Sequence, residues 1–127
     1  MTSILNEENE MKSFWLRAFD FSGRSSRREF RNGILWTVLL ALPGISTILF
    51  GTMNKNNLVL TVGIGLHLFI ALFWIIPFVA LCVRREHDLG RSGWRFLLDG
   101  RDSSHLWFQP SDPETNRYGP PPADAEK

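Results

Sequence analysis

Between Arg84 and Trp94 the chain reads R-R-E-H-D-L-G-R-S-G-W, a concentration of the side chains best suited to chemistry. His87 and Asp88 are an acid and a base by type. Arg84, Arg85 and Arg91 carry forked N–H donors that suit carboxylate or phosphate. A second cluster, Gly23, Arg24, Arg27, Arg28 and Glu29, lies earlier in the chain. Spacing argues against catalysis. Neighbours on a helix point about 100° apart, so His87 and Asp88 would not face each other. Ser92-Gly93 is ordinary turn chemistry. No nucleophile stands beside a base and an orienting group. Three scattered His and one Cys give neither metal-ligand spacing nor a disulfide, and no phosphate loop or dinucleotide fingerprint occurs. The chain therefore reads as a non-enzyme, with no catalytic, cofactor-binding or metal site. Its candidate interaction or structural motif is Gly23, Arg24, Arg27, Arg28 and Glu29 together with Arg84, Arg85, His87, Asp88, Gly90, Arg91, Ser92, Gly93 and Trp94.

What must position these residues follows from how charge is distributed. Residues 1–31 hold six basic and five acidic side chains, and residues 84–127 hold seven and eight. Residues 32–83 hold one charge, Lys55. A helix in water needs a polar face along its length, and 52 residues with a single charge cannot supply one. With a net charge of +1, no global basic field argues for nucleic acid.

Two apolar runs fill the middle. Gly33 to Phe50 would rise about 27 Å as a helix, close to the hydrocarbon thickness. Its Pro43-Gly44 is expected to kink it. Leu58 to Val83 holds 17 Leu, Ile, Val or Phe in 26 residues. At about 39 Å it exceeds a bilayer core and must tilt, bend at Pro77 or project. The turn between them is G-T-M-N-K-N-N. Ser26-Arg27-Arg28-Glu29 matches the capping box that starts a helix. Met11, Phe14, Trp15, Ala18 and Phe19 form an apolar stripe at helical spacing, suited either to packing on the rest of the protein or, as preferred here, to a membrane interface. The first run lies far from Met1 with no cleavage site behind Phe50, so it does not read as a secretory signal. The fold expected is all-α: an integral membrane helical hairpin of two transmembrane helices. An N-terminal amphipathic helix within residues 1–22 precedes it. The hairpin occupies 23–98, with spans about 33–50 and 58–83, and 99–127 is a flexible, irregular C-terminal tail.

Near the span ends, five arginines precede the first span (Arg17, Arg24, Arg27, Arg28 and Arg31), Lys55 alone lies in the turn, and five arginines follow the second (Arg84, Arg85, Arg91, Arg95 and Arg101). The positive-inside rule then places both termini in the cytoplasm. The charge cluster begins at Arg84 because the chain leaves hydrocarbon there, and its arginines are expected to reach headgroups. The expected partners are the lipid bilayer and anionic phospholipid headgroups, with other membrane proteins or a second copy beside them. Both clusters end on one membrane face. They are either two independent solvated anchors or an interlocked pair, with Glu29 and Asp88 each bound by an arginine of the other.

The motifs resemble those of domain-of-unknown-function family 805, small bacterial inner-membrane proteins. Phe21-Ser22-Gly23-Arg24-Ser25-Ser26-Arg27-Arg28-Glu29-Phe30 is similar to that family's F-x-G-R-x-S-R-x-E-F/Y-W opening. Arg84-Arg85-Glu86-His87-Asp88-Leu89-Gly90-Arg91-Ser92-Gly93-Trp94 resembles its R-R-L-H-D-x-G-R-S-G-W block. Asn116-Arg117-Tyr118-Gly119-Pro120-Pro121-Pro122 resembles its N-R-F/Y-G-x-D-P signature. The resemblance implies a helical protein of the bacterial inner (plasma) membrane and no particular activity. Arg31 stands where the family has Trp, Glu86 where it has Leu, and Pro121 where it has Asp. The family's next span is shortened or missing here, because Trp94-Arg95-Phe96-Leu97-Leu98 stops at Asp99.

His67 is the one strongly polar side chain deep in a span. It is either helix glue, bonded to a carbonyl or hydroxyl of the partner helix, or part of an ion path. Gly63-x-Gly65 beside it would permit close helix approach. Two functions follow. One is a non-enzymatic module that meets membrane partners or anionic lipids through its arginine face. The other is a subunit of an oligomeric transporter or channel that uses His67.

Overall fold

A computed structural model describes residues 12, 15–98 and 103–125. Among them are four helices and no strand: α1 (Arg27–Met53), α2 (Asn57–Asp88), α3 (Trp94–Leu98) and α4 (Ser104–Phe108). Most of the expected amphipathic helix lies outside the described residues. Of it, Lys12, Trp15 and Leu16 are helical and a turn follows at 17–19.

Ser26 starts α1 as its N-cap, its hydroxyl accepting from the Glu29 amide at 3.0 Å. Only that half of the capping box forms. The Glu29 carboxylate turns instead to Arg84 and Arg17, and the Ser26 hydroxyl donates to Asp124 at 2.7 Å. The α1 helix runs through Pro43, whose carbonyl takes the Ser46 and Thr47 hydroxyls. Asn54 closes it, Lys55 turns with a positive φ of 52°, and Asn56 caps α2 by accepting from Val59.

The two long helices form an antiparallel hairpin held by backbone proximity. An added Cβ at Gly51 would lie 2.6 Å from the Leu60 nitrogen, and one at Gly63 would lie 2.9 Å from the Ile48 nitrogen. One at Gly44 would strike His67. Small residues at these crossings let dispersion act over the whole interface, which is how apolar helices associate where no water drives them together. Trp74 adds an indole N–H donated to the Thr37 hydroxyl.

Both helices are long and apolar enough to cross a membrane, and only 11% and 28% of their most apolar stretches are buried within the protein. The core helix of a water-soluble domain would bury most of such a stretch. Here Leu, Ile, Val and Phe face outward around the hairpin. The compact core sits at one end instead, where Phe30, Trp74, Leu81, Cys82 and Leu106 meet. Segment 103–125 is irregular apart from α4 and one isolated bridge between Asn116 and Gly119, and it folds back over that end.

Candidate functional site

The open end of the hairpin buries charge rather than grease. Arg24, Arg84, Arg85, Glu86 and Asp88 are all buried, with Glu29 at their edge. Three guanidiniums therefore face three carboxylates, and the cluster is neutral within itself. Each ion costs several kcal/mol to bring out of water, so such a cluster persists only where nearly every donor and acceptor is met.

Asp88 is the hub. One carboxylate oxygen accepts from Arg24 Nε at 3.0 Å and the other from Arg85 Nη1. Arg24 spends its remaining donors on the carbonyls of Asp112, Glu114 and Gly119, at 2.7 Å for Glu114. Arg85 donates to the carbonyls of Leu106 and Gln109. Arg84 gives Nε to the Ser25 hydroxyl at 2.9 Å, Nη1 to the carbonyls of Arg17 and Asp20, and Nη2 to Glu29 at 3.4 Å. Both crossed pairs, Arg24 with Asp88 and Arg84 with Glu29, are thus in place. Arg84 and Arg85 do not reach outward to headgroups as their position at the end of an apolar run suggested. The carbonyls of Arg17 and Asp20 draw Arg84 inward, and those of Leu106 and Gln109 draw Arg85.

His87 and Asp88 serve different partners. The His87 Nδ1–H donates to the Gly23 carbonyl at 3.1 Å, and the ring stacks on Tyr118 at 3.8 Å and 7°. The Arg117 guanidinium lies over the other partner in that stack, the Tyr118 ring. Gly23 can present its carbonyl there because it takes a φ of 74° that other residues rarely adopt. The Asn116 side-chain amide donates to the His87 carbonyl. Beyond Val83, where the apolar run ends, burial lowers the pKa of both Arg84 and Arg85, against Glu29 and Asp88 respectively. From so high a starting value both stay charged. Burial also pushes His87 down, against the pull of the Gly23 carbonyl.

The remaining motif residues frame this core. Arg27 donates to the Phe108 carbonyl, and Arg28 lies exposed on the first turn of α1. Gly90 turns the chain with a φ of 72°, the Arg91 amide returns to the Glu86 carbonyl, and Ser92 accepts from the Arg95 amide. Gly93 is wedged against Val83, while Trp94 is 71% exposed. His67 is far down α2 against Gly44, and its Nδ1 is buried with no hydrogen-bond partner. That atom is not the expected interhelical glue. Gly63 does make a close approach, whereas nothing lies within 4 Å of an added Cβ at Gly65.

Sequence reasoning missed Glu86 with His105, whose side chains meet at 2.8 Å while the second Glu86 oxygen is buried without a partner. It also missed the docking of 106–119. Carbonyl acceptors carry no residue-type signal, although the N-R-Y-G motif at Asn116–Gly119 marked the place.

A family model described as "Protein of unknown function (DUF805)" matches residues 18–120. No curated protein and no solved structure matches the chain. The match covers the first two motif segments that converge on Asp88 and His87 and the third as far as Pro120, and the chain belongs to the DUF805 family.

Proposed function

We propose that this chain is a non-enzymatic module of the bacterial inner membrane, with both termini in the cytoplasm, that meets anionic lipids or other membrane proteins through its arginine-rich face. The observation that carries the reading is the exposure of the outer arginines. Arg24, Arg84 and Arg85 are consumed inside and build a rigid platform. Arg28, Arg31 and Arg95 are exposed around it, next to the outward-facing apolar surface of the hairpin. Exposed guanidiniums at that level suit headgroup phosphate. Saturation of the inner donors also speaks against a small-anion pocket among them.

Changing Arg28, Arg31 and Arg95 together to Gln tests this. Retention of phosphatidylglycerol by the detergent-purified protein should drop several-fold while helix content stays the same. Unchanged retention would remove lipid as the ligand of this face.

The second reading, an oligomeric transporter subunit, is favoured by one observation, the buried and unpartnered Nδ1 of His67. It requires His67→Leu to abolish a flux while assembly persists. A strictly monomeric protein in mild detergent contradicts it.

A further inference from the structure

After Asp88 the chain does not simply leave the hairpin. Gly90 and the Arg91-to-Glu86 bond reverse it. Gly93 then packs so tightly on Val83 that an added Cβ would lie 2.5 Å from a Val83 methyl. Three residues on, Phe96 meets Phe78 edge to face with ring centroids 6.0 Å apart. Val83 and Phe78 both belong to the apolar run and lie five positions apart, about 7.5 Å along α2. The segment therefore runs from the charged end back down toward the middle of the hairpin.

Its outer face is apolar. Trp94, Leu97 and Leu98 are exposed, Leu98 by 81%, as are Ile75 and Ile76 of α2. Arg95 is exposed among them, with a stem long enough to carry its guanidinium back to headgroup level. The sequence then gives Asp99, Arg101 and Asp102, charges that are expensive at the centre of a bilayer. Depth is thus limited to the outer part of one leaflet, the 5–10 Å zone that interfacial helices occupy, roughly.

We propose that residues 93–98 form a re-entrant wedge, inserted beside α2 into the leaflet on the arginine side, whose Trp94–Leu97–Leu98 face is covered by lipid acyl chains. This rests on the membrane reading of the hairpin and adds to it a third embedded element. The occupant is lipid because the Phe96–Phe78 contact holds this exposed apolar face beside α2, whose Ile75 and Ile76 are exposed as well. Its neighbouring charge, Arg95, has the sign that headgroup phosphate complements.

The test uses nitroxide labels on cysteines at Leu98, Leu72 and Thr115 of the full chain, in vesicles of phosphatidylethanolamine and phosphatidylglycerol. Native Cys82 is buried, and the unsubstituted protein serves as the labelling blank. Collisions with oxygen and with a water-soluble nickel chelate report depth. The wedge predicts that Leu98→Cys favours oxygen severalfold over Thr115→Cys, though less than Leu72→Cys. If Leu98→Cys matches Thr115→Cys while Leu72→Cys stays in hydrocarbon, the wedge is wrong and the hairpin reading survives. If Leu72→Cys is open to the chelate, the membrane reading itself fails. Shielding of Leu98→Cys from both agents would show protein, such as a second copy, in place of lipid.

Discussion

Arg24 and Asp88 meet at 3.0 Å across 64 residues of sequence, and both side chains are sealed from water. The pair ties the segment before α1 to the last turn of α2. Arg24 then binds three carbonyls of the C-terminal segment, so one guanidinium joins three distant parts of the chain. The site works as a clasp at the mouth of the hairpin.

Asp88→Asn keeps the volume and removes the charge on which Arg24 and Arg85 converge. Leaving buried charges uncompensated costs about 3–5 kcal/mol. Unfolding in mixed micelles, followed by circular dichroism, should show a loss of that order. A loss under about 1 kcal/mol, typical of an exposed pair, would mean that the cluster is solvated. Glu29→Gln should cost less, because Glu29 lies at the edge with longer contacts of 3.4 and 3.5 Å.

Glu86 and His105 should behave as a coupled pair. Glu86 is fully buried with one oxygen unpartnered, while the His105 side chain is 22% exposed. Removing one partner of a buried pair is costly, whereas replacing both together is better tolerated. His105→Leu strands the carboxylate and should cost about 3 kcal/mol or more. The double variant with Glu86→Leu should lose less than the sum of the two single variants. Additive losses in the same unfolding assay would contradict this coupling.

Docking of the Asn116–Gly119 region should depend on pH through His87. Burial lowers the pKa of the docked ring, with Arg117 acting in the same direction and the Gly23 carbonyl and Glu86 against it. Docking thus favours the neutral imidazole. Its contribution is present above the ordinary imidazole range and is lost as pH falls through the lowered value. A nitroxide at Thr115 should become more mobile on mild acidification, and His87→Gln should flatten that response. Mobility that rises with pH would reverse the sign.

The hairpin crossing predicts a contrast between glycines. Gly51→Ala forces a methyl to within 2.6 Å of the Leu60 backbone, whereas Gly65→Ala meets open space. Overpacking of this kind costs about 1–3 kcal/mol. The first variant should be destabilised by that amount in micelles, and the second should match the native chain. Equal behaviour would place the crossing elsewhere.

The long elements were legible because their causes are local. Ser26 caps α1, Asn54 and Asn56 bracket the turn, and the runs ending near Phe50 and Val83 are uncharged. The crossed pairs were legible because Glu29 and Asp88 are acids set among arginines at one end of the expected hairpin. The docking of 103–125 was not legible, since it rests on main-chain carbonyls of Leu106, Gln109, Asp112, Glu114 and Gly119 that any residue could offer. Nor was the second role of Gly44 legible, whose lack of a side chain lets His67 approach.

The account depends most on lipid bathing α1 and α2. Single cysteines at Asn54, Leu68 and Thr115, probed with an impermeant maleimide in intact cells, test it directly. Asn54→Cys should label from outside, Thr115→Cys only after permeabilisation, and Leu68→Cys only after the membrane is dissolved and the protein denatured. Labelling of Leu68→Cys as readily as Asn54→Cys in intact membranes would contradict it.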